Sequence, residues 1–437
     1  VKPVRRPESA LDRFLRYARI DTQSAEEVAE VPSTRKQLEL GRLLAAELKG
    51  LGVKRATLDS HGYVMATIPS NLPVGHPARG RVARVGLIAH LDTSPSAPGA
   101  GVKPQVFTYR GGDIRLPGNP EVVIRARENP ALKAQVGKVI VTADGTTLLG
   151  ADDKAGIAAI MTLAALLCGP EAPPHGEVKI AFTPDEEVGR GTAFFDLERF
   201  GADVAYTFDG GSAGELNRET FSADAATITV QGRNIHPGEA KGVMVNALRA
   251  LADVMVRLPR ALSPEQTEGR EGFIHPHAAG GEEALATVKL LLRDFDVAGL
   301  RRQRRLLEGI LKEVRPLHPG ARLTLEVKES YRNMRDRLAL VPEVADALEE
   351  ATRRAGVRPR WVAIRGGTDG SRLTAMGLPT PNVFAGGHNF HGPTEWLAVE
   401  GLEKAVLVAR HLVEVWVELA ATRTPTPTRP RVPADGR

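Results

Sequence analysis

Cysteine is almost absent: Cys168 is the only one in 437 residues. One thiol cannot form a disulfide within the chain, and a cysteine-based metal site is excluded. Long apolar runs are missing too. No stretch approaches the roughly 20 apolar residues of a membrane span, and the first twenty residues contain no apolar segment of signal-peptide length. The expected setting is therefore cytoplasmic, with no membrane partner. The chain also lacks a strong charge of one sign. Against 58 Lys plus Arg stand 53 Asp plus Glu, for a net charge of +5, and the arginines are scattered. No nucleic-acid partner is expected from that balance. Glycine loops of the phosphate-binding kind are absent from strand-helix junctions, so a nucleotide site is unsupported. No internal repeat is found.

What is present is an ordinary globular composition, 42% hydrophobic and 25% charged, in a chain long enough for two domains. Apolar spacing predicts helices over 8–19 and 33–50, then strands over 63–68, 82–89, 138–142, 178–183 and 203–208. The apolar run after Lys154 predicts a helix closed by Gly169-Pro170, and residues 95–120, rich in Pro and Gly, read as a long surface excursion. Strands alternating with helices predict an α/β fold with a mostly parallel sheet. The middle of the chain differs. Strands over 225–231, 284–293 and 322–328 alternate with helices over 245–258 and 300–314, which predicts a small inserted α+β domain. The expected division is 1–222 and 341–421 for the larger domain, 223–340 for the insertion, and a disordered Pro- and Arg-rich tail over 422–437.

The polar groups fall in a pattern. Four apolar strands run into His90/Asp92, Asp152/Asp153, Glu186/Glu187 and Asp209, and a fifth element brings His391. In open α/β sheets ligands bind beyond the carboxyl ends of the strands, so these groups are expected to converge. Acids in that number repel one another unless a cation offsets them. Mixed imidazole and carboxylate donors suit zinc or another first-row divalent ion, and one shared carboxylate can bridge two. Two ions can activate a water and polarise a carbonyl. Glu186, beside Glu187, is the candidate general base. Asp92 either accepts the second ring N–H of His90 or sits behind the metals and fixes their geometry. Taken singly, any of these acids is as readily a loop residue or a cap: Asp153 for the helix that follows, Asp185 for its turn. Only the clustering at successive strand ends argues otherwise.

The motifs resemble those of the peptidase T family, tripeptide aminopeptidases of the di-zinc exopeptidase superfamily. The resemblance runs over residues 10–420. It rests on AHLDTSP (89–95), YRGGDI (109–114), TTLLGADDKAG (146–156), FTPDEEVGRG (182–191), YTFDGG (206–211), NIHPGEAKG (234–242), TEGREGF (267–273), LLRDFD (291–296), ESYRNM (329–334), IRGGTDGS (364–371) and NFHG (389–392). It implies a catalytic domain with an inserted ferredoxin-like lid and dimerisation domain, and two zinc ions per subunit. His90 and Asp209 would hold one zinc, Glu187 and His391 the other, and Asp152 would bridge them. Asp153 would follow a strained cis peptide, Glu186 would be the base, and Asp92 would orient His90. His236 would reach across a homodimer to the oxyanion. Arg365 would bind the peptide carboxylate or carbonyl, and Asn333 and Tyr331 would line the substrate pocket. The implied reaction is removal of the N-terminal residue from a short peptide, chiefly a tripeptide, by zinc-activated water. The sequence departs from the family in the acid-poor segment 94–101, in His388 where an aromatic is usual, and in its tail.

Two rivals share these features. A dipeptidase, carboxypeptidase or N-acyl-amino-acid hydrolase of the same superfamily would carry the same ligands. A non-catalytic binding protein on the same fold would have lost a ligand or the base, and all are present. Cys168 is expected in the core, Arg301, Arg302, Arg304 and Arg305 on a solvated helix face, and His275 and His277 stay unassigned.

Overall fold

The computed structural model describes residues 8–422. Most of the predicted tail therefore lies outside the described residues. The chain folds as two compact units. The first takes in the chain up to Arg218, Asp336–Val362 and the chain from Thr368; the second is Glu219–Arg335 with Ala363–Gly367. The second unit thus begins and ends a few residues before the predicted limits, and it recruits a short return segment.

The first unit is built on an eight-stranded sheet. Its order is Thr57–Leu58, Val64–Ile68, Val178–Thr183, Val85–His90, Val204–Gly210, Asn382–Phe384, Glu215–Asn217, Arg360–Trp361. The central strands from Val178–Thr183 to Asn382–Phe384 run parallel, and antiparallel pairs occur on either side. Val85–His90 is buried at every position, as a strand covered on both faces must be, and its sequence is accordingly apolar without alternation. The helix Ala151–Leu167 is buried on nearly all sides from Asp153 onward. It packs with Ala10–Ala18 and Val399–Thr422, and the latter packs on Pro342–Arg354. Ser9 and Asp12 form a capping box at the first helix. Within this core Trp416 Nε1 donates to the Tyr206 hydroxyl at 3.0 Å, which donates to the Val344 carbonyl at 3.0 Å. One buried chain of hydrogen bonds thereby joins sheet and two helices.

The Pro- and Gly-rich residues 95–120, expected as a surface excursion, contain paired strands. Gln105–Thr108 pairs with Val139–Thr142 in a second, antiparallel sheet that continues through Trp396–Ala398 to Gly387–His388. Ile114–Leu116 and Asn119–Ile124 form a further ribbon. Val139–Thr142 was expected in the main sheet; its apolar pattern is the same in either place, and only its partners differ.

The second unit is a four-stranded antiparallel sheet ordered Phe273–Gly281, Leu285–Asp294, Ser222–Gln231, Arg322–Tyr331, packed with helices Ala247–Val256 and Val297–Val314. This is the ferredoxin-like arrangement. Strand Phe273–Gly281 was not foreseen. It is exposed over its second half and ends in glycine, so it carries little of the alternation that marks a strand. Arg301, Arg302, Arg304 and Arg305 are exposed. Cys168 is exposed as well, against expectation, because it caps the helix where the last turn leaves the core. Among the described residues no helix is long and apolar enough to cross a membrane.

Candidate metal centre

Three neighbouring strands of the main sheet deliver most of the site. Val85–His90 ends on His90, Val178–Thr183 runs on into Pro184–Glu187, and Val204–Gly210 carries Asp209 one residue before its end. His90 is in register with Thr183. The imidazole and the acids therefore leave the sheet at one end, the carboxyl ends of parallel strands.

Asp152 arrives by another route. It stands at the start of the helix Ala151–Leu167, not at the end of a main-sheet strand. The backbone there is irregular. Gly150 is left-handed at φ 77°, a region that favours glycine, and the Asp152–Asp153 peptide is cis. Asp152 places one carboxylate oxygen toward each histidine: Oδ1 lies 2.8 Å from His90 Nε2 and Oδ2 lies 3.3 Å from His391 Nε2. His391 Nε2 is also 2.8 Å from Glu187 Oε2, and His90 Nε2 is 3.8 Å from Asp209 Oδ1. His391 itself is left-handed at φ 66°, a strained conformation that non-glycine residues hold chiefly at functional sites.

Around these five the polar groups have fixed duties. His90 Nδ1 lies 3.0 Å from the Asp92 carbonyl oxygen and 3.3 Å from its carboxylate, which turns Nε2 toward Asp152. The Asp92 carboxylate accepts the N–H of Glu186 at 2.9 Å and of Glu187 at 3.2 Å. Asp92 thus joins the histidine strand to the glutamate turn. Asp185, left-handed at φ 54° and fully buried, accepts from Ser33 N at 2.7 Å, Ser33 Oγ at 2.5 Å and Gln37 Nε2 at 2.7 Å. It anchors the turn that presents Glu186 and Glu187. Asp153 accepts the backbone N–H groups of His90 and Gly156, each at 3.2 Å. His388 stacks on Trp396 with ring centroids 3.8 Å apart.

Two buried acids at the site were not singled out from sequence. Asp369 lines a small pocket together with His90, Glu186, Thr207 and Asp209. Glu395 accepts three backbone N–H groups from Leu149, Gly150 and Asp152. Asp369 lay inside a recognised motif, IRGGTDGS, which was a usable signal. Glu395 follows NFHG by three residues and gave none, because its partners are some 240 residues away in the chain.

The electrostatics call for positive charge. Burial pushes Glu186 up to about 8, with Asp369 and Glu187 adding to the effect. Burial and Asp152 push Glu187 up to about 7, and burial raises Asp209 well above the carboxylate range. Asp152 goes the other way: against burial, His391 and His90 hold it well below that range. Asp152 and Glu187 in turn push His391 up to about 10. Burial opposes a proton on His90, but Asp152 and Asp92 raise it well above its usual value. Divalent ions supply the same charge with neutral imidazoles as donors. The donor set fits them. The ligand atoms of His90, Asp152 and Glu187 lie within 4.8 Å of one another, as do those of His90, Asp153 and Asp209. Among the described residues Glu187 Oε1 is buried with no hydrogen-bond partner.

The other predicted residues lie in the second unit. His236 is exposed on a loop, its Nδ1 accepting from Gly238 N at 3.1 Å. Arg365 donates to the carbonyls of Gly269 at 3.1 Å and Glu271 at 2.8 Å and to Thr267 Oγ1 at 2.9 Å, with its guanidinium over Phe221 and Phe273. The Asn333 carboxamide accepts from Thr220 N at 3.1 Å and donates to the Phe295 carbonyl at 3.1 Å. Tyr331 is buried against Gly367.

A model of peptidase family M20/M25/M40 matches residues 143–415. Peptidase T of Salmonella paratyphi A is 46% identical over 407 residues, covering 93% of this chain and 98% of that protein. The chain belongs to the peptidase T family of M20 peptidases. Solved structures agree with that fold. The aminopeptidase PepT of Bacillus cereus is 21% identical with a TM-score of 0.70, covering 94% of this chain and 99% of that one. A tripeptidase of Staphylococcus aureus is 20% identical with a TM-score of 0.71 and the same coverage. The M20 model takes in Asp152, Glu186, Glu187, Asp209 and His391 and starts beyond His90 and Asp92.

Proposed function

We propose that the chain is a zinc aminopeptidase that removes the N-terminal residue from short peptides, chiefly tripeptides. Its membership of the peptidase T family supports the reaction class. The observation that carries the site is the Asp152 carboxylate, with one oxygen toward His90 and the other toward His391. In this reading His90 and Asp209 would hold one zinc, Glu187 and His391 the other, and Asp152 both, and the ions would supply a lowered pKa for a water and polarisation of the scissile carbonyl.

The chain's own groups do the rest. Glu186 takes a proton from the attacking water on its carboxylate and returns it to the leaving amine. Asp92 holds the backbone of Glu186 while also orienting His90. His236 stabilises the developing oxyanion of the other subunit in a homodimer; its exposed loop leaves it available. Arg365 binds the carboxylate or a carbonyl of the peptide, and Asn333 lines the substrate pocket. The peptides are taken to be cytoplasmic.

The test is a side-by-side assay of a tripeptide, a dipeptide and an N-acetyl amino acid. The tripeptide should turn over fastest, and removing its N-terminal residue should be the first cut. Faster turnover of the acetylated substrate, or cleavage from the carboxyl end, would overturn the reading.

A further inference from the structure

The bridging carboxylate of Asp152 is carried on backbone that neither a helix nor a strand supports. Asp152 and Asp153 have non-helical angles, and the helical ladder begins only with Lys154 N donating to the Gly150 carbonyl at 3.3 Å. The segment is interior: Leu149 and Ala151 are buried. Its amide groups need partners there, since a buried N–H without one costs about as much as a lost hydrogen bond.

Glu395 supplies them. Its side chain is 1% exposed. Oε2 accepts from Leu149 N at 2.7 Å and Gly150 N at 2.8 Å, and Oε1 accepts from Asp152 N at 3.1 Å. From a second direction the buried Lys154 donates Nζ to the Ile20 carbonyl at 2.7 Å. Glu395 also closes the turn that carries His391, its N–H donating to the Gly392 carbonyl at 3.1 Å. One short turn therefore bears His391 at one end and the clamp on Asp152 at the other.

We propose that Glu395 is a positioning residue of the metal centre: its buried carboxylate holds the Leu149–Asp152 backbone so that Asp152 faces His90 and His391 at once, and it thereby sets the affinity for both divalent ions. The inference rests on Asp152 being the shared ligand. A brace that merely filled space would leave metal affinity alone.

The test compares wild type, Glu395→Gln, Glu395→Asp and Glu400→Gln after chelation. The last is a control on an exposed glutamate paired with Lys138. Zinc is returned in competition with a chromophoric chelator, and stoichiometry, affinity and the melting of the metal-free chain are read. Glu395→Gln keeps the shape but turns an amide toward backbone donors. It should fold and bind zinc about 10–100-fold more weakly, or hold fewer ions, as loss of a group supporting a ligand does elsewhere. Glu395→Asp should fall between, and Glu400→Gln should match wild type. Should Glu395→Gln not fold, Glu395→Asp carries the same comparison. Two zinc ions bound with wild-type affinity by the Glu395 variants, or an equal loss in Glu400→Gln, would overturn the proposal. Wild type that binds no zinc would overturn the metal reading beneath it.

Discussion

Replacing Asp92 by Asn tests how the base is aimed. Asp92 is fully buried, and its two carboxylate oxygens accept separate backbone N–H groups, from Glu186 at 2.9 Å and Glu187 at 3.2 Å. A carboxamide has one accepting oxygen, so one of those N–H groups is left facing an NH2. The loss of one charge-assisted bond is worth about 1.5–3 kcal/mol. If all of it appears in the transition state, kcat falls by about 10–100-fold, since 1.36 kcal/mol is a factor of ten. His90 keeps its bond to the Asp92 carbonyl, so zinc content should stay at the wild-type level. The assay is steady-state hydrolysis of a tripeptide with metal analysis of the same sample. The predicted signature is a reduced kcat, a KM close to wild type and unchanged zinc. Wild-type kcat would refute the positioning argument, and lost zinc would make Asp92 a ligand instead.

Other outcomes follow from the same geometry. Glu186→Ala should keep its zinc while kcat falls by a factor on the order of 10² or more; near-normal turnover would remove Glu186 as base. Asp152→Ala should lose at least one zinc by elemental analysis, and mixing it with His236→Ala should partly restore activity if His236 serves the partner's site. Tyr206→Phe leaves Trp416 Nε1 without its acceptor and removes the side-chain donor to the Val344 carbonyl, and should lower stability by roughly 1–3 kcal/mol in chemical denaturation. His388 gives a pH test. Burial pushes it down to about 4, so the folded state disfavours its protonated form. Its contribution is full above the unfolded value near 6.5 and is lost as pH falls toward 4, by up to about 3 kcal/mol. His388→Phe, studied metal-free, should flatten that part of the stability profile; an unchanged slope would assign the loss to other groups.

The site was legible where chemistry and local pattern coincide. His90 ends an unbroken apolar strand and Asp209 sits at the end of another, so periodicity alone carried them to the correct end of the sheet. Asp152 is expected at the end of a main-sheet strand, and the structure sets it at the start of a helix instead. The apolar strand before it, Val139–Thr142, pairs with Gln105–Thr108 and Trp396–Ala398, and a short apolar run does not reveal its partners. Glu395 shows the limit more sharply. A glutamate between Thr394 and Trp396 reads as a surface residue until the fold brings it against Leu149 and Asp152. Asn333 and Arg365 also bond to backbone of their own unit, contacts that their residue types do not announce. Residue type marks what a side chain can do, and long-range contact decides what it is occupied with.

The central claim is a two-ion centre that drives peptide hydrolysis. Zinc content and tripeptide turnover measured on one sample test it most directly. Two zinc ions per chain, loss of turnover on chelation and recovery when zinc is restored are expected. No bound zinc, together with no turnover after adding zinc, cobalt or manganese, would contradict it.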